Sequence, residues 1–348
     1  MKKDKEHFQG CIIGGAVGDA LGWPVEFLSL TEIKKKYGEA GITHLIMGSN
    51  KKAEITDDTQ MTLFTAEGIL RAETARNKKK TYDPSKAVYH AYLRWLRTQG
   101  YAGLKKHERI YDGWLMTVKE LHTRRAPGNT CISALTSGEK GTIDRPINNS
   151  KGCGGVMRVA PAGLFYDRKN AFDMAAQFAA ITHGHPAGYL SAGAFAYIIA
   201  AIIEGQDIEA AAKDALAELK SHKNHHECSR SLSLALELSR SGLPDTEAIS
   251  QLGGGWVGEE ALGIAVYCAL KYQNDFKNAV IAAVNHSGDS DSTGAITGNI
   301  LGAYLGLNSI PEDWVQKIEL KEALIQIADD LLIGYQNSKQ WHARYPGY

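Results

Sequence analysis

The sequence predicts an all-α fold in a single domain, and three observations carry that prediction. Strand signals are scarce in the 348 residues, the best being the short stretch 42–47. Apolar residues recur at helical spacing in 87–96, 208–219, 231–239 and 320–332. Glycine recurs at every fourth position in Gly10, Gly14, Gly18 and Gly22, and again in Gly294, Gly298, Gly302 and Gly306.

Each glycine stripe falls on one helical face. A glycine inside a helix costs about 1 kcal/mol against alanine, so eight of them need a compensating gain. Close backbone approach to another helix supplies it. Both stripes therefore predict tight helix crossings that bring the two ends of the chain together. A third small-residue stripe, Gly184, Gly188, Ala192 and Ala196, predicts a further partner. In lipid such spacing pairs membrane helices, but Asp19, Thr297 and Asn299 interrupt the apolar character, so the reading is a soluble core with no membrane span. Loops are expected at 126–128, 144–149 and 242–244, where Pro and Gly gather. No linker is long or polar enough to divide the chain, which is read as one domain over residues 1–348.

Composition narrows the function. Apolar residues make up 44% and charged residues 22%, enough to bury a sizeable core. Lys plus Arg and Asp plus Glu both total 39, so no net field favours nucleic acid or an anionic membrane. Five scattered cysteines without a C-x-x-C pair argue against a disulfide framework or zinc knuckle and fit a reducing cytoplasm. The Lys-rich start lacks a signal-type cleavage site. The clusters Lys34–Lys36 and Lys78–Lys80 read as solvated loop charge. His222, His225, His226 and Cys228 are zinc ligand types at irregular spacing in a polar loop, a weak metal signal.

Two acidic clusters carry the chemistry. Thr56-Asp57-Asp58-Thr59 and Asp289-Ser290-Asp291-Ser292 each precede an apolar-periodic helix, expected to start near Gln60 and Thr293. Helix capping explains one acid in each cluster, but not two. Adjacent carboxylates repel, and holding two pairs close requires full solvation or cations between them. An all-oxygen donor set favours hard Mg²⁺ or Mn²⁺ over Zn²⁺. The glycine stripes would place the second cluster near Asp19 and Glu26, the latter on a loop after Pro24 where it could gate or complete the site.

At these residues the chain resembles the ADP-ribosylglycohydrolase family, which includes the dinitrogenase reductase-activating glycohydrolase and ADP-ribosyl-arginine hydrolases. The resemblance covers nearly the whole chain through GAVGDALGWPVEF, TDDTQMTLFTAEGIL, GCGGVMRVAPAGL, THGHPAGYLSAGAFA and HSGDSDSTGAITGNILGA. It implies an orthogonal multi-helix bundle with two Mg²⁺ or Mn²⁺ ions in an ADP-ribose cleft. By position, it implies metal ligation by Thr56, Asp57, Asp58, Asp289, Asp291 and Ser292, with Asp291 bridging. It also makes Gly152, Cys153, Gly154 and Gly155 a diphosphate cradle and sets His183 beside the ribose. Trp256, after three glycines, is read either as stacking on adenine or a guanidinium, or as core packing.

The expected reaction is hydrolysis at the anomeric carbon of the distal ribose, with Glu26 or Asp57 in proton transfer and Asp291 central to the metal site. The Asp-Ser-Asp-Ser-Thr sequence looks like the arginine-specific members, giving an ADP-ribosylated protein as substrate and ADP-ribose as product. ADP-ribosyl-serine, O-acetyl-ADP-ribose and ADP-ribose polymer are the alternatives. The rival from another class is a non-catalytic protein, either a binding or immunity protein or a crystallin-like structural one, and neutralising a cognate ADP-ribosyltransferase by binding is a second function compatible with hydrolysis.

Overall fold

The computed structural model describes residues 1–80, 82–104 and 109–347. Among these residues the protein is all-α: β-structure is confined to isolated bridges, Met47 with Ala53, Ala53 with Ile318 and Gly152 with Val257. The stretch 42–47 is thus not a strand. Its residues meet no extended partner beyond that one bridge, and apolar Ile42 is instead buried in a loop tied through its N–H to Asn285 Oδ1 at 2.8 Å.

The glycine stripes do meet. Helix Lys5–Gly22 lies along helix Ser290–Leu305 with the backbones in contact. A Cβ on Gly14 would lie 2.4 Å from the Gly298 carbonyl oxygen, and one on Gly18 would lie 2.0 Å from that of Gly294. Gly10 faces Gly302 in the same way. Gly306 is the helix cap, with φ of 88°, rather than a helical residue. Asn299, which looked like an interruption, donates from Nδ2 to the Cys11 carbonyl at 2.7 Å and so fastens the pair.

Helix Asp57–Asn77 is buried from Asp57 to Ala75, which explains why its sequence shows so little two-faced character. Gly68 admits helix Pro84–Thr98 at close range. Helix Pro186–Ile203 is long and apolar enough to cross a bilayer, but 83% of it is buried within the fold. The third stripe is split. Gly184 precedes this helix, because Pro186 starts it, and both Gly184 and Gly188 are met by the loop around Asn148–Lys151 rather than by another helix.

Three further expectations change in detail. Lys34, Lys35 and Lys36 occupy the last turn of helix Leu30–Tyr37, where cations complement the helix dipole, instead of a loop. The two acid-bearing helices start three residues earlier than read, at Asp57 and Ser290, with Thr56 and Asp289 as their caps. That offset turns Asp57, Asp58 and Asp291 into first-turn residues.

A candidate metal centre and its cleft

Helix geometry assembles the acids. The crossing of Lys5–Gly22 with Ser290–Leu305 sets Gly22 against Ser290, so the loop after the first helix and the N-terminus of the second share one corner. Pro24 lies in a short 3-10 turn, Trp23–Val25, that ends the first helix and delivers Glu26. One oxygen from each of Glu26, Asp289 and Asp291 lies within 4.8 Å of the others, the one such His, Cys, Asp or Glu group found among the described residues. Asp57 and Asp58 line the same cavity of about 310 Å³, as does Ser292.

Asp19 ties the first helix to the start of helix Asp57–Asn77, a role hidden in the sequence because it looks like a stray charge in an apolar helix. Fully buried, it accepts the Thr56 N–H at 3.0 Å to each oxygen, the Thr59 N–H at 3.2 Å and the Thr59 hydroxyl at 2.5 Å. Behind Asp57, its own N–H donates to the Arg125 carbonyl, and its Oδ2 accepts the Gly128 N–H at 3.3 Å. Arg125 in turn is paired with Glu319 at 3.1 Å, fixing this loop to the body of the protein.

No Lys or Arg pairs with Asp19, Glu26, Asp57, Asp58, Asp289 or Asp291 among the described residues. Glu26 Oε2 and Asp58 Oδ2 are buried and accept no hydrogen bond. Burial and mutual repulsion respond as expected: Glu26 and Asp57 are pushed up to about 8, Asp19 to about 6 through burial, and Asp58 and Asp291 well above the usual carboxylate range. Buried carboxylate oxygens without donors are what a divalent cation would satisfy, so the residues present fit a hard metal ion.

A pH prediction follows. These carboxylates bind protons in the folded state that the unfolded chain has released, since ordinary carboxyl groups titrate near 4. The stability they contribute is full below that value and is lost as pH rises through about 6 to 8. In chelator the protein is expected to melt a few degrees lower at pH 8 than at pH 6, and saturating Mg²⁺ or Mn²⁺ should abolish or reverse that difference. Differential scanning calorimetry at both pH values reads it directly; a melting temperature indifferent to both pH and metal would count against a cation site.

The rest of the cleft comes from backbone turns. Gly253 and Gly255 have φ of 118° and 78°, and the segment they allow ties two sides together. The Gly254 carbonyl accepts the Asp289 N–H at 2.8 Å and the Trp256 carbonyl accepts the Cys153 N–H at 3.1 Å. Gly152, Cys153 and Gly154 line the cavity beside His183. The Cys153 thiol donates to Asp289 Oδ2 at 2.6 Å, so it meets the acids by its side chain, whereas the sequence pointed only to its backbone. Trp256 is 42% exposed and stacks on Phe27 at 5.3 Å, which rules out core packing. Phe27 is itself 69% exposed, with φ of 66°, and had no sequence signal beyond its place after Glu26.

Of the residues singled out from sequence, Thr56 and Gly155 do not line this cavity. Thr56 is buried as a helix cap, its hydroxyl accepting the Asp58 N–H at 3.3 Å, and Gly155 packs against the Gly188 carbonyl. The other histidine group is dispersed: His222 stacks on Phe172, His225 lies against His226, and the Cys228 thiol donates to a backbone carbonyl.

Comparison with known proteins identifies the family and the fold. The model of the ADP-ribosylglycohydrolase family matches residues 1–340. An uncharacterized protein of Archaeoglobus fulgidus is 33% identical, over 94% of this chain and 96% of its own. The ADP-ribosyl-[dinitrogen reductase] glycohydrolase of Rhodospirillum rubrum is 25% identical, over 90% of each chain. The ADP-ribosylarginine hydrolase Tri1 of Serratia proteamaculans is 23% identical, over 93% of this chain and 78% of its own. A solved ADP-ribosylglycohydrolase-related protein complex shares the fold at a TM-score of 0.68 and 23% identity, covering 97% of this chain and all of that one.

Proposed function

The chain belongs to the ADP-ribosylglycohydrolase family, and on that premise we propose that it is a metal-dependent hydrolase that removes ADP-ribose from arginine side chains of proteins. The observation that supports it most is the set of buried carboxylates without cationic partners, in one cavity with a glycine turn and a buried histidine. Asp57, Asp58, Asp289, Asp291 and Ser292 are the proposed ligands of two Mg²⁺ or Mn²⁺ ions, and Glu26 lies close enough to Asp289 and Asp291 to join them. Bound there, such ions would neutralise the acids, orient ribose hydroxyls and activate water.

The protein's own groups do the remaining work. Hydrolysis breaks the bond between the anomeric carbon and the guanidine nitrogen; water supplies a hydroxyl to the carbon and a proton reaches the departing nitrogen. Glu26 is our choice for that proton transfer, because it follows the 3-10 turn directly into the cavity and keeps one oxygen unpartnered. Gly152 and Gly154 leave room for close backbone approach by the diphosphate. The five cysteines are all free, which suits a reducing compartment such as the cytoplasm.

Trp256 is proposed to hold a flat ligand group, adenine or the acceptor guanidinium, after parting from Phe27. Trp256→Ala should therefore raise KM roughly tenfold, a loss of about 1–2 kcal/mol, with metal affinity unchanged. Steady-state kinetics beside calorimetric Mn²⁺ titration separate the two; equal loss of metal binding would refute the assignment.

Arginine rests on Asp289-Ser290-Asp291-Ser292-Thr293 and on the name of the Serratia relative. The test is release of ADP-ribose from an ADP-ribosyl-arginine protein and, in parallel, an ADP-ribosyl-serine peptide, with Mg²⁺, Mn²⁺ or EDTA. Metal-dependent release from arginine alone is expected. Release from serine alone would move the acceptor, and release from neither would overturn hydrolysis of protein-linked ADP-ribose.

A further inference from the structure

Arg158 is fully buried, and among the described residues its guanidinium meets no carboxylate. It lies over the Tyr92 ring at 4.2 Å, and Nη1 points at the sulfurs of Cys131 and Met61, at 3.3 and 3.5 Å. Its one short hydrogen bond runs from Nη2 to the Thr182 hydroxyl oxygen at 2.6 Å. That oxygen is also 2.8 Å from His183 Nδ1.

Donor and acceptor chemistry fixes the direction of this chain. A guanidinium has only donors, so Thr182 Oγ1 must accept from Arg158. The hydroxyl proton is then free to be given away, and His183 Nδ1 is the nitrogen in reach. The nearby Cys131 sulfur is a much weaker acceptor and already faces Arg158. Were His183 to carry its proton on Nδ1, the hydroxyl proton would lose this partner in a buried setting, at the usual penalty for an unmade hydrogen bond.

The other ring nitrogen has a different environment. His183 is 1% exposed and lines the cavity, its Nε2 makes no hydrogen bond among the described residues, and the ring lies beside Gly152 and Gly154. A Cβ on Gly154 would sit 3.2 Å from Nε2, so the two glycines keep this edge open.

We infer that Arg158 and Thr182 are positioning residues that lock His183 as its Nε2–H tautomer, making it a hydrogen-bond donor to a phosphate or ribose oxygen of the bound ligand and not a proton-transfer group. Burial first, and the Arg158 charge second, press the imidazole down to about 3, so the ring stays neutral throughout the working range. The ligand class rests on the function proposed above; the tautomer does not.

The test reads the tautomer in the free, full-length protein. With ¹⁵N-histidine label, the His183 ring nitrogens are assigned by their loss in His183→Gln. Wild type and Thr182→Ser should show a protonated Nε2 and a bare Nδ1, unchanged from pH 6 to 8.5, and Thr182→Val should give a mixture of tautomers. A protonated Nδ1 in wild type, or an unaltered ring in Thr182→Val, would overturn the inference; the wild-type spectrum decides even if the valine variant does not fold. ADP-ribose affinity with Mn²⁺ present should fall about tenfold in Thr182→Val and hold in Thr182→Ser. An Nε2–H ring in a protein that does not bind ADP-ribose would overturn the ligand assignment and leave the relay standing.

Discussion

On the proposed function, Asp291→Asn is expected to lower metal-dependent ADP-ribose release by on the order of a thousandfold, because it removes a proposed ligand from the centre that would organise the reaction. The same variant should be more stable than wild type in chelator. Asp291 is buried with Asp289, Asp58 and Glu26 around it, and its carboxyl is raised well above the ordinary range by burial and by those neighbours. Asparagine keeps the shape and carries no charge to desolvate or repel. Without metal, then, the variant should melt higher than wild type, and Mn²⁺ should no longer raise its melting temperature. Activity and calorimetry together separate a lost ligand from a lost fold. An active variant that Mn²⁺ still stabilises would show that Asp291 is not part of a metal centre.

The second large effect lies away from the cavity. In Gly298→Ala the added methyl would stand 2.0 Å from the Gly14 carbonyl oxygen and 2.6 Å from its carbon. Both are backbone atoms in a long helix, so no side chain can turn aside, and the helices must separate along the whole stripe. We expect a loss of at least about 3 kcal/mol, the upper end for overpacking, and no folded protein from Gly298→Leu. Gly242→Ala is the comparison. That glycine has φ of 71° and nothing within 4 Å, so only backbone strain of roughly 1–2 kcal/mol applies. Urea denaturation of both variants measures the contrast; similar losses would mean that the close approach of the two helices is not what these glycines provide.

Much of this was legible in the sequence, for reasons that differ by residue. A glycine period of four needs only helix geometry to become a face, so the crossing could be read with its partner and its effect on the chain ends. The paired acids were legible because capping accounts for at most one carboxylate in each cluster; in the structure Asp289 caps its helix and Thr56 caps the other, so Asp57, Asp58 and Asp291 are left for another task. The helix starts were read three residues late because the capping side chains, Thr56 and Asp289, sit at the front of each cluster and the acids themselves form the first turn. Asp19 was visible as a charge, but its task as acceptor for Thr56 and Thr59 depends on a contact across 37 residues and more. Phe27 and the Cys153 side chain were illegible because both act through loops, whose course is set by Gly253, Gly255 and a left-handed residue rather than by any periodic pattern. Thr182 opens one of the quoted motifs, but its role was not legible there, since it comes from an arginine 24 positions away.

The pairing of the first long helix with one near the end of the chain also governs when the protein can work during its own synthesis. Cys11 and Asn299, joined across that crossing, are separated by 288 residues. At a typical 5–20 residues per second, the ribosome needs roughly 15–60 s to make the second after the first. Through that interval the glycine face of Lys5–Gly22 has no partner, and Glu26, Asp57 and Asp58 wait without Asp289 and Asp291. Helix Lys5–Gly22 gains little from propensity with its run of glycines, so it is expected to become ordered only when the far helix arrives. On the proposed function, cation binding and catalysis must wait for this crossing, and a ribosome-bound fragment ending before Asp289 carries Glu26, Asp57 and Asp58 without the two acids that complete the cluster.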